Sequence, residues 1–139
     1  MGTRTEYLTG HWLTQRQILE LQDFNFEVKR SLQGKNNESG LASALSTCTS
    51  ILSVVAVGTV ATASGIASLI FAAIGALSSL EKDAIISTLE NGESDLYDIR
   101  KKMEDENYDA VQVLIGWLEF VDEGCRTVQG ATALSYYPT

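Results

Sequence analysis

One histidine and two cysteines are too few soft ligands for a metal centre in this 139-residue chain. A zinc site needs several Cys, His or acidic groups converging, whereas His11 stands alone and Cys48 and Cys125 form no Cys-x-x-Cys pair. The two thiols read more simply as small buried hydrophobes than as a disulfide. A calcium loop fails as well. Asp105, Asn107 and Asp109 take its first, third and fifth positions, but Ala110 stands where the turn needs glycine and Gly116 where the loop closes on glutamate.

The glycine-rich phosphate cradles and the Gly-x-Ser-x-Gly elbow of hydrolases are also missing. The carboxylates Glu104, Asp105, Glu106 and Asp109 have basic neighbours and read as a solvated helix face, so the sequence argues against an enzyme and implies no cofactor or small-molecule substrate. Basic residues are scarce: 10 Lys plus Arg against 18 Asp plus Glu give a net charge of −8, which repels nucleic acid. Met1 to Leu13 lacks the apolar stretch of a secretory signal, so the sequence indicates no Sec export and leaves the location open. Gly2 is followed by Glu6 where myristoylation needs Ser or Thr, and Asn37-Glu38-Ser39 is read as a chance glycosylation match. Most informative is the absence of any charge over residues 39–80.

What the chain does contain reads as helix, in a single domain over 1–139. Residues 1–13 are expected to be irregular. Thr14 and Gln17 make a capping box that opens a helix over 14–33, with Ile18, Leu21, Val28 and Leu32 on one apolar face and Gly34 as the stop. Ser39 caps the next element. Within 39–91 the uncharged stretch divides at Gly58 and Gly65 into arms of about 41–57 and 66–80, and Asn91-Gly92 ends the amphipathic extension. Over 93–123 the seam Leu96, Ile99, Met103, Ala110, Val113, Trp117 and Phe120 is heptad-like, and Asp98–Lys102, Lys101–Asp105 and Lys102–Glu106 pair across one turn. Residues 124–139 read as a tail. The expected class is all-α: a bundle of four to five helices with a central uncharged hairpin.

Each arm of that hairpin has one slim and one bulky face at helical periodicity. Ser43, Ser46 and Ser50 line the first slim face, and Ser64, Ser68, Ala72, Gly75 and Ser79 the second. Opposite them lie Leu45, Ile51, Leu52 and Val55, then Ile66, Leu69, Ile70, Ile74 and Leu77. If the slim faces meet, the bulky faces need cover from other protein or from lipid.

Polar amphipathic helices around an uncharged hairpin resemble, in layout and in no motif, the helical pore-forming proteins of the colicin and haemolysin type and the phage holins. The resemblance implies a membrane-active protein of pore-forming or lytic type that inserts the 41–80 hairpin into a lipid bilayer. Glu38, Glu81 and Asp83 beside the hairpin would resist anionic membranes at neutral pH. The alternative is a non-enzymatic structural or interaction protein that self-associates, with the hairpin as the core of a homo-oligomer or filament.

Overall fold

A computed structural model describes residues 4–138. Its first element is a strand, β1 (Arg4–Thr14), built on the alternation of half-buried Tyr7, Thr9 and His11 and buried Leu13 with exposed Glu6, Leu8, Gly10 and Trp12. Helix α1 (Gln15–Leu32) follows without a loop. Thr14 accepts from the Gln17 backbone N–H while the Gln17 side chain accepts from Thr14 N–H, so the expected capping box is formed. Ile18, Leu21, Val28 and Leu32 are buried as their spacing requires, and Gly34 leaves the helix with φ 75°, a left-handed conformation that favours glycine.

The uncharged stretch is helical only in pieces. Helix α2 (Glu38–Leu45) is capped by Asn37 rather than by Ser39. It ends where the hydroxyls of Ser46 and Thr47 donate to the carbonyls of Ser43 and Ala44 at 2.6 and 2.7 Å, capturing acceptors at the end of the helix. A 3₁₀ turn (Thr49–Ile51) comes next, held by the Glu20 carboxylate, which accepts from the backbone N–H and the hydroxyl of Ser50. The four-residue helix α3 (Leu52–Val55) and then α4 (Ala63–Gly75) complete the region, α4 being capped by Thr62. Residues 56–62 separate α3 from α4, so Gly65 lies inside a helix rather than at the break, and residues 46–48 interrupt the first arm as well.

Helix α5 (Ser79–Asp105) begins at a Ser78/Glu81 capping box and runs straight through Asn91-Gly92. Leu96, Ile99 and Met103 form its buried face, and Lys101–Asp105 and Lys102–Glu106 pair at 3.6 and 3.9 Å. Near Asn107, with φ 55°, the chain turns into β2 (Tyr108–Phe120) and then β3 (Cys125–Pro138). The three strands form an antiparallel sheet in the order β1-β2-β3.

The expected all-α class is therefore corrected to α+β. Ala110, Val113, Trp117 and Phe120 satisfy a helical period by spacing alone. The intervening Val111 and Ile115 are equally buried, so residues 111, 113, 115 and 117 line one face of a strand. Residues 1–13 and 124–139, expected to be irregular, contain the two outer strands; residues 1–3 and 139 lie outside the described set.

The membrane-active, pore-forming and toxin-like reading is corrected with it, because no helix of the described residues is long and apolar enough to cross a membrane. Its bulky residues serve the interior. Leu45, Ile51, Leu52, Val55, Ile66 and Ile70 are buried in one core with Phe24, Leu89, Met103 and Trp117. Leu69, Ile74 and Leu77 pack against that core, half-buried; Gly65 is half-buried and Gly58 exposed. Ser43, Ser46, Ser50, Ser64, Ser68, Ala72, Gly75 and Ser79 all face outward. Within one chain, then, the slim faces do not meet.

Candidate functional site

The two outer edges of the sheet are treated differently. Along β3, Asn25 reaches out of α1 and takes both backbone groups of Val128: its Nδ2 donates to the Val128 carbonyl at 2.7 Å, and its Oδ1 accepts from the Val128 N–H at 3.1 Å. Its Nδ2 also donates to the Leu89 carbonyl at 3.2 Å. Asp95 of α5 accepts from Ala131 N–H at 3.0 Å, and a short bridge pairs Ala56 with Cys125. An amide side chain has the donor and acceptor of a peptide unit, so Asn25 replaces a missing strand. The β3 edge is thus covered from Cys125 to Ala131, and its pairing with β2 carries three register irregularities.

The β1 edge has neither device. Its register with β2 runs unshifted from Arg4↔Phe120 to Thr14↔Ala110. Which of its backbone groups point away from β2 follows from the sealed edge. Val128 turns its groups outward to Asn25, so its partner Trp117 turns toward β1, where it faces Tyr7. Ala131, Ile115 and Thr9 give the same parity. The alternation of an antiparallel ladder then leaves Arg4, Glu6, Leu8, Gly10, Trp12 and Thr14 pointing outward. Thr14 N–H bonds Gln17 at 2.9 Å, as that parity allows. No described residue bonds the N–H of the other five.

The side chains of Glu6, Leu8 and Trp12 are exposed, while Arg4 donates to Glu81 at 2.9 Å. Leu8 is 63% and Trp12 55% exposed, and Gly10 opens onto free space. Leu8 also forms one wall of a shallow groove of about 340 Å³, whose floor includes Gly116 and Gly130. Natural edge strands avoid pairing through lysine, proline, bulges or shortness. This strand is 11 residues long, unbulged, and carries neither lysine nor proline.

On the inner face a polar network fastens β1 to its neighbours. Trp117 Nε1 donates to Thr9 Oγ1 at 2.6 Å, and Thr9 Oγ1 lies 2.6 Å from His11 Nε2. Arg126 stacks its guanidinium 4.0 Å over the Trp117 ring and donates to the Tyr7 hydroxyl at 3.0 Å and to the Val54 carbonyl at 2.9 Å. Tyr7 in turn donates to Glu119 at 2.5 Å. Burial, then the Glu119 hydrogen bond, push the Tyr7 hydroxyl pKa upward; burial, then the Arg126 charge, push His11 downward. Thr9 accepts from Trp117, and its hydroxyl and His11 Nε2 share a hydrogen bond whose direction the His11 tautomer sets. The network pins a strand; among the described residues no group of three His, Cys, Asp or Glu is placed to hold a metal.

This wiring has a pH consequence. Above the ordinary histidine value of 6.5, neither the folded nor the unfolded chain holds the His11 proton and stability is full. As pH falls from there toward the lowered folded pKa, the unfolded chain takes the proton first and stability drops. Urea midpoints measured at pH 7.5 and 5.5 are expected to fall more for the wild type than for His11→Asn. Equal losses would disprove the assignment.

Cys48 and Cys125 are free and buried, and burial pushes the Cys125 thiol up to about 12. They form no site. Compared with known protein families, characterised proteins and solved structures, the chain matches none. The open β1 edge was missed in the sequence because Arg4, Glu6 and His11 make it look like a polar leader. The signal available was the alternation of Tyr7, Thr9, His11 and Leu13.

Proposed function

We propose that the chain is a non-enzymatic interaction protein that self-associates by pairing the β1 edge of one copy with that of another. The observation carrying this is the asymmetry of the sheet: Asn25 and Asp95 cover one edge as far as Ala131, while the other presents a regular row of unpaired donors and acceptors beside exposed Leu8 and Trp12. Adding a strand to such an edge satisfies those groups through main-chain bonds. Electrostatics favours the location too. In an acidic molecule, β1 carries one Arg and one Glu, so two copies can meet there without stacking like charges. Self-association is thus retained from the sequence reading, with its surface moved from the hairpin to the sheet.

Gly10→Pro tests this, since it deletes an outward N–H and no β1–β2 bond. Leu8→Lys is the companion variant, placing a charge of the kind that protects natural edges. By light scattering after size exclusion, the wild type is expected to run as an assembly and each variant to weaken it at least tenfold. A wild type that stays monomeric at high micromolar concentration, or variants that associate unchanged, would reject the proposal.

A further inference from the structure

We infer that the partner strand is a second β1 running antiparallel about a two-fold axis at Leu8, so that Leu8 faces Leu8, Glu6 faces Gly10, and Arg4 faces Trp12. The inference rests on the edge reading above and adds its register. The outward-pointing residues still free are Arg4, Glu6, Leu8, Gly10 and Trp12, because Thr14 has given its N–H to Gln17. A two-fold axis through the middle member, Leu8, maps this set onto itself, and every member then exchanges its N–H and C=O with another member. An axis at Gly10 instead brings Glu6 opposite Thr14, whose N–H is taken. An axis at Thr9 does the same to Arg4.

The side chains agree with the axis at Leu8. The most exposed large apolar residue of the strand meets its own copy at the centre, and each leucine adjoins the groove floored by Gly116 and Gly130. Gly10, with open space where a side chain would stand, leaves room for Glu6 of the other copy. Trp12, exposed, lies opposite Arg4, whose guanidinium is held by Glu81 at 2.9 Å and so brings no unpaired charge to the contact. No like charges stand directly opposite each other.

Three single-cysteine variants of the full chain read the register. Under mild oxidation Leu8→Cys is expected to cross-link to itself, and Gly10→Cys to link to Glu6→Cys in a mixture at least tenfold faster than to itself. The buried native thiols give a wild-type control that stays unlinked. The mixed pair keeps Leu8 in place, so it also covers the case in which losing the central leucine weakens the contact. Dominant self-linking of Gly10→Cys, or of Thr9→Cys, overturns the axis at Leu8 while leaving edge pairing intact. A wild type that is monomeric by light scattering, with no linking at any of these positions, overturns both.

Discussion

Gly92→Ala is expected to destabilise the protein by about 3 kcal/mol or more, lowering Tm by roughly 10 °C in a thermal melt. Two effects oppose each other at this position. Alanine improves helix propensity over glycine by about 1 kcal/mol in a helix interior. A Cβ on Gly92, however, would fall inside the Val128 carbonyl group, 2.7 Å from its carbon, and 3.0 Å from Asn25 Nδ2. The carbonyl belongs to backbone held in the sheet, so α5 itself must retreat from β3, and overpacking of this kind exceeds the propensity gain. A melt in which the alanine variant is as stable as the wild type would show that α5 does not lie this close to the strand.

Asn25→Leu is expected to cost about 4 kcal/mol by urea denaturation, close to the effect at Gly92. The volume changes little, but the Val128 N–H and C=O lose their partner in a place where no water replaces it, at about 1–3 kcal/mol for each group left unpaired. Asn25→Asp separates hydrogen bonding from packing. A protonated aspartic acid keeps the acceptor and one donor, whereas the carboxylate would oppose the Val128 and Leu89 carbonyls. That variant is therefore expected to gain stability as pH falls toward 5, opposite to the trend that His11 sets for the wild type. No pH dependence in Asn25→Asp would mean that the side-chain amide is not what closes the edge. Gly92 and Asn25 meet at the same Val128 carbonyl, so their effects should not add.

Helix α1 was almost wholly legible in the sequence, because a local capping pair, a repeating apolar face and a glycine stop all act within a few residues of one another. The buried run of α5 from Leu96 to Met103 was legible for the same reason. The sheet was not. A seven-residue step from Met103 to Ala110 carries a helical seam past the real break at Asn107, and of residues 110, 113, 117 and 120 only 113 and 117 share a strand face. Only the β-branched Val111, Val113 and Ile115 between them favour the strand.

Neither of the sealing residues announces itself locally. Asn25 sits four residues after Leu21 and three before Val28, a polar group on an apolar stripe, and its partner is 103 residues away. Gly92 reads as a helix stop, since the carbonyl that requires it belongs to a distant strand. In the uncharged region the bulky and slim faces were legible as faces. Which of them turned inward depended on a sheet that the periodicity did not reveal.

The side chain of Asn25 has a consequence for stoichiometry. Because one amide occupies the position at Val128 where a further strand would add, the pairing proposed here would use the β1 end of each molecule, and two such ends would consume each other when they meet. Strand addition through β1 alone, as proposed, would then halt after one step at a pair, and raising the concentration would fill more pairs without lengthening any of them.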